Sequence, residues 1–164
     1  MKIEAIVIHC SASKWGSAHE IRLWHLQRGF RDIGYHFVIG NGMPVSNVSR
    51  RFSFLDGSVE VGRPVDDDGM IEPNEIGAHA LGQNDKSIGV CLIGNPPGRL
   101  ARNYGEAMAT FTPKQLAALK ALVADLRQRW GLPITAVKGH YEVQTDKPLC
   151  PGLEMGFLRQ WLNT

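Results

Sequence analysis

Cysteine is scarce in this chain and widely scattered. The 164 residues hold three, Cys10, Cys91 and Cys150, with no Cys-x-x-Cys pair among them. That argues against a structural zinc knuckle and against a disulfide framework. No apolar run approaches the length that crosses a bilayer, so no membrane insertion is expected. The opening MKIEAIVIHCSAS sets one lysine and then a glutamate inside its apolar stretch, a first strand rather than a secretory signal. Synthesis in the cytoplasm, followed by release or assisted export, is the expectation. Neither sign of charge dominates: 18 Lys and Arg face 16 Asp and Glu, a formal +2. That is a mild lean towards anionic partners without the basic stripe of a nucleic-acid binder. No internal repeat, low-complexity tract or linker interrupts the chain, and its length suits one domain over 1–164, expected as a monomer.

What is present is an alternation of apolar strands and amphipathic helices. Ala5 to His9 (AIVIH) is a buried strand ending on a histidine. Ser17 to Glu20 has capping-box spacing and opens a helix to about Arg28, stopped by Gly29. Tyr35 to Ile39 is a second strand, and Asn41-Gly42 signals a hairpin turn into another extended piece near Pro44 to Val48. Arg50 to Ala78 is the least regular stretch, with an extended piece at Val59 to Val61. Ser87 to Ile93, apolar on both faces, reads as a central strand. Thr112, Pro113 and Gln115 start the clearest helix, striped by Leu116, Leu119, Val123, Leu126 and Trp130 and ended by Gly131. Ile134 to Val137 is a short strand and Phe157 to Leu162 a last helix. Together these predict an α/β domain, a central mixed β-sheet flanked by helices.

Two histidines stand at strand ends, His9 and His140, where α/β folds gather their sites on one sheet edge. Cys150 lies among polar residues and prolines rather than in a core. Two imidazoles and a thiolate are good zinc ligands, and three protein donors leave a fourth position open for water. Such an ion acidifies its water and polarises a carbonyl. The same residues also allow a thiol peptidase, with Cys150 as nucleophile and His140 as base.

Five ordered motifs narrow the choice. IVIHCSAS, GYHFVI, GAHALGQNDKSIGVCLIGN, the FTPKQLAALKAL helix and GHYEV…K…CPG resemble the zinc-dependent N-acetylmuramoyl-L-alanine amidases. The likeness is to the type 2 amidase and peptidoglycan-recognition superfamily, closest to the small phage lysozyme-like amidases, over roughly Lys2 to Leu162. It implies a mixed sheet with a substrate groove, a Zn2+ cofactor and peptidoglycan (muramyl peptides) as substrate. His9, His140 and Cys150 match the metal ligands. Tyr35, in GYHF, matches the residue beside the attacking water. Lys147 matches the lysine that steadies the oxyanion, although here Pro148 and Leu149 both separate it from Cys150 where relatives have one residue. His79, in GAHA, matches a groove-lining residue facing substrate. The implied role is a phage or prophage endolysin acting on the bacterial cell wall, with a non-catalytic peptidoglycan-binding module as the alternative.

The remaining candidates read as structural. Cys91 is a small buried hydrophobe in IGVCLIG. Strand alternation turns Cys10 away from His9, and His36 from Tyr35. His19 and His25 fall on the surface or the groove edge. The acidic run Asp66 to Glu75 misses calcium-loop spacing, since its first ligand position would be Pro64. Trp15 either stacks on substrate or packs.

Overall fold

The structure, a computed structural model, describes residues 1–48 and 51–164. One of its inner strands is β1, Ala5–Cys10, in which Ile6, Val7, Ile8 and His9 are all 0% exposed. A strand buried on both faces needs partners on both edges and cover above and below. β4 (Ser87–Leu92) and β5 (Val137–Gly139) pair parallel to it on either side. β2 (Phe37–Asn41) runs parallel to β4, and β3 (Asp56–Val61) lies antiparallel along β2. The order β3-β2-β4-β1-β5 makes the mixed sheet expected from the sequence.

Helices cover the two faces unequally. α3 (Pro113–Trp130) and α5 (Met155–Leu162) press Leu116, Leu119, Val123, Leu126 and Leu158 onto Ile6, Ile8, Ile39, Val90 and Leu92. α1 (Ala18–Gln27) sets Ile21 and Trp24 against Val38, Cys91 and Ile93 on the other face. The α3 start is the capping box read from the sequence: Thr112 Oγ1 accepts from the Gln115 N–H, and Gln115 Oε1 accepts from that of Thr112. The Gln115 amide also donates to the carbonyls of Ile39 and Ile93, at 3.0 and 2.9 Å, which ties the helix to the sheet.

Local departures have local causes. Asn41-Gly42 is no two-residue hairpin, and residues 44–48 hold no strand. The Asn41 side chain donates to the Lys14 carbonyl and accepts from the Met43 N–H, so the chain turns out of the sheet and returns only at Asp56. Val59 to Val61 is the end of β3; Arg50, the first residue of the stretch read as irregular, lies outside the described residues. Ile134–Ala136 forms a 3-10 turn, and strand pairing begins at Val137, where the register with Ile6 starts. Two four-residue helices, α2 (Tyr104–Ala107) and α4 (His140–Val143), are too short to show periodicity. α5 begins two residues before Phe157, because the Glu154 carboxylate accepts from the Gly156 and Phe157 N–H groups. Among the described residues no helix is long and apolar enough to cross a membrane.

Candidate metal centre

β1 and β5 end on the same sheet edge, with Ile8 in register with Gly139. The next residue of each is a histidine, so His9 and His140 emerge side by side, ring centroids 4.4 Å apart. Cys150 reaches them through a run of turns. The Lys147 N–H donates to the Gln144 carbonyl, the Cys150 N–H to that of Lys147, and the Tyr141 N–H to that of Cys150, at 3.2, 3.2 and 3.0 Å. Gly152 then takes φ 85°, and a Cβ there would lie 2.2 Å from Pro96, so the CPG and NPPG motifs interlock.

One donor atom from each of His9, His140 and Cys150 lies within 4.8 Å of the others. The Cys150 sulfur is 3.9 Å from Nδ1 of His9. Tetrahedral zinc sets sulfur and nitrogen about 3.6 Å apart, so these residues fit that ion with little movement. Burial, reinforced by the neighbouring histidines, holds His9 well below the ordinary histidine range, and burial lowers His140 too. Both rings are therefore neutral at pH 7, the form that ligates. Contact with the Cys10 thiol, then burial, push the Cys150 thiol up. That is the reverse of what a cysteine nucleophile requires.

The other predicted residues surround this cluster. Tyr35 lies two residues before β2, half-buried, with its ring 5.0 Å from that of His9. Burial and the nearby thiols of Cys91, Cys150 and Cys10 push its phenol well above the ordinary range, so it remains a hydroxyl donor. Lys147 is exposed and, with Cys150, Cys10, Ala12, Asn95 and Pro96, lines a cleft of about 290 Å³. His79 departs from the groove position read for it. It is 6% exposed, behind His9, with its Nδ1 3.0 Å from Nε2 of His9 and its Nε2 3.2 Å from the Ser87 carbonyl. Both ring nitrogens are taken, so no polar atom of its ring is left for the groove.

Other readings change in detail. Cys10 does face the α3 side, yet Cys150 lies over the strand end and its sulfur accepts from the Cys10 N–H at 3.4 Å. His25, read as surface or groove edge, is 7% exposed; its Nδ1 accepts from the Gly34 N–H and its ring packs on Tyr35. His36 is structural, accepting from the Gly89 N–H and donating to the Glu75 carbonyl. In the acidic loop the Glu75 carboxylate accepts from the Asp66 and Glu72 N–H groups. Trp15 packs edge-on against Trp24. Gln144 is a site residue the sequence did not flag: its Oε1 lies 3.0 Å from Nε2 of His140, and the i,i+4 spacing from His140 was the only signal.

The family profile described as N-acetylmuramoyl-L-alanine amidase matches residues 1–153. The endolysin of Enterobacteria phage K11 is 34% identical over 160 residues, covering 96% of this chain and 83% of its own. Peptidoglycan-recognition protein SC2 of Drosophila melanogaster is 30% identical over 168 residues, covering 96% of this chain and 73% of its own. Among solved structures, the endolysine N-acetylmuramoyl-L-alanine amidase LysCS from Clostridium intestinale superposes with a TM-score of 0.71 at 25% identity, over 100% of this chain and 86% of its own. The match takes in the strand ends that carry His9 and His140 and the turn that carries Cys150, and on it the chain belongs to the N-acetylmuramoyl-L-alanine amidase family.

Proposed function

We propose that this chain is a zinc-dependent amidase that hydrolyses the bond between the lactyl group of N-acetylmuramic acid and L-alanine in peptidoglycan. Its role is that of a phage or prophage endolysin, acting on the cell wall after release from the cytoplasm. The observation that carries the reading is the meeting of His9, His140 and Cys150, the last of which also lines the cleft. Zinc held by those three supplies Lewis acidity, which acidifies water and polarises a carbonyl. One chain provides all three donors, so a monomer suffices.

The chain's own groups do the rest. Tyr35, a hydroxyl across the working pH range, donates a hydrogen bond that orients the attacking water or steadies the tetrahedral carbon's oxygen. The Lys147 ammonium offsets negative charge on that oxygen. Asn95 also lines a second hollow of about 520 Å³, which bears Lys14 and Arg51. Those two cations give the carboxylates of a stem peptide a partner.

Digestion of purified peptidoglycan by the zinc-loaded protein tests this. New L-alanine amino termini without new reducing sugar ends are expected. Tight binding to the wall with no amino termini released would overturn the reading in favour of a binding module.

A further inference from the structure

The segment 77–84 (GAHALGQN) contributes no donor to the metal centre, yet both histidine donors rest on it. The first path starts at the Ser87 carbonyl, which can only accept. Nε2 of His79, 3.2 Å away, therefore carries a proton, and the neutral ring's Nδ1 is an acceptor. That Nδ1 faces Nε2 of His9 at 3.0 Å, so Nε2 is the protonated nitrogen of His9. Its Nδ1 is left bare, and this is the atom 3.9 Å from the Cys150 sulfur.

The second path starts at the Leu81 N–H, which can only donate. It points at the Gln144 side chain at 3.0 Å and so identifies the atom there as oxygen. The same oxygen faces Nε2 of His140 at 3.0 Å, which makes Nε2 the protonated nitrogen and again leaves Nδ1 free.

The segment itself is clamped. Asn84 Oδ1 accepts from the N–H groups of His79 and Ala80 at 2.8 and 2.9 Å. Across the sheet, a Cβ on Gly89 would lie 2.6 Å from Cγ of His79, so the glycine of SIGV leaves the space that ring occupies.

We propose that 77–84 is the platform that orients both histidine ligands: through His79 and Gln144 it holds each ring with Nε2 protonated and Nδ1 presented to the ion. His79, Gln144 and Asn84 are positioning residues, touching neither the ion nor the substrate. The ion's identity rests on the amidase reading, whereas the tautomers belong to the protein alone. An unlocked imidazole offers either nitrogen and rotates, and losing such an outer partner typically costs about 10- to 100-fold in metal affinity.

Nitrogen-15 NMR of the zinc-free, unaltered protein is the first test. Protonated Nε2 and bare Nδ1 are expected on both His9 and His140, and Nδ1 protonation of either ring would overturn the proposal. Zinc affinity by chelator competition is the second. His79→Leu and Gln144→Leu should each weaken binding about 10- to 100-fold. His79→Asn, which keeps an acceptor near the Nδ1 position, should recover most of the loss at site 79, and Gln144→Glu most of it at site 144. Asn84→Ala should disturb the nitrogen signals of both rings together. Unchanged affinity in both leucine variants would overturn the proposal. If His79→Leu does not fold, the tautomers of the unaltered protein and the His79→Asn affinity decide. If the unaltered protein binds no zinc, the amidase reading fails while the NMR result still judges the platform.

Discussion

The backbone N–H of Cys10 lies 3.4 Å from the sulfur of Cys150, joining residues 140 apart in sequence. β1 thus serves the centre twice, with the ring of His9 and with the amide that follows it. An N–H aimed at sulfur favours the thiolate, whereas the Cys10 thiol and burial oppose it and push Cys150 up. On the proposed reading, a divalent cation held by the three donors would reverse that balance.

Cys150→Ser should therefore lose zinc by more than the roughly 10- to 100-fold that an outer partner is worth, because a neutral hydroxyl is a poor donor. Amidase turnover should fall with it, while the zinc-free melting temperature stays close to that of the unaltered protein. Chelator competition and calorimetry measure the two separately.

Zinc affinity should rise with pH. His9 and His140 lie below the ordinary 6.5 and are already neutral above it, whereas Cys150 lies above the ordinary 9.0 and must release its proton on binding. Between those pH values the affinity should climb about tenfold per unit, with one proton released per ion. Titration calorimetry in buffers of different ionisation enthalpy counts the proton. A flat profile would mean that the sulfur is not a ligand.

Tyr35→Phe should keep zinc and lose about 10²- to 10³-fold in kcat, the usual cost of one donor to a developing charge. Lys147→Ala should show the same division between metal and rate if its ammonium spans the extra residue before Cys150. Since the Tyr35 phenol is held well above its ordinary range, the unaltered enzyme should show no activity limb arising from its ionisation near pH 10.

Acid should destabilise the zinc-free fold early. Burial holds His36 at about 4 and His79 at about 3, with His9 also far below its ordinary value. Between pH 6.5 and about 4 the unfolded chain binds protons that the folded chain refuses, so stability falls as pH falls. The slope is about 1.4 kcal/mol per pH unit for each ring. Urea midpoints from pH 7 to pH 4.5 check it, and a midpoint independent of pH would show that these rings titrate freely.

The long, strongly patterned elements were legible in the sequence. AIVIH, SIGVCLI and the capped helix from Thr112 declare themselves through burial on both faces or a five-residue apolar stripe, and they lie where expected. The ligand trio was named from the resemblance of IVIHCSAS, GHYEV and CPG to the amidases; strand ends and a proline-flanked turn alone left a thiol peptidase open. What escaped was set by tertiary partners. Asn41 bonds back to Lys14 instead of making a hairpin, and β5 is only as long as its pairing with Ile6 to Ile8. His79 reads as a polar groove residue until Gly89 is seen leaving room for its ring, and nothing local to Gln144 announces that Leu81 orients it.

Metal content measured alongside wall digestion tests the central claim most directly. The purified protein should hold one zinc per chain and release L-alanine amino termini. A chelator should abolish both, added zinc should restore both, and Cys150→Ser should show neither. Full digestion by metal-stripped protein, or one zinc per chain retained by Cys150→Ser, would contradict the account.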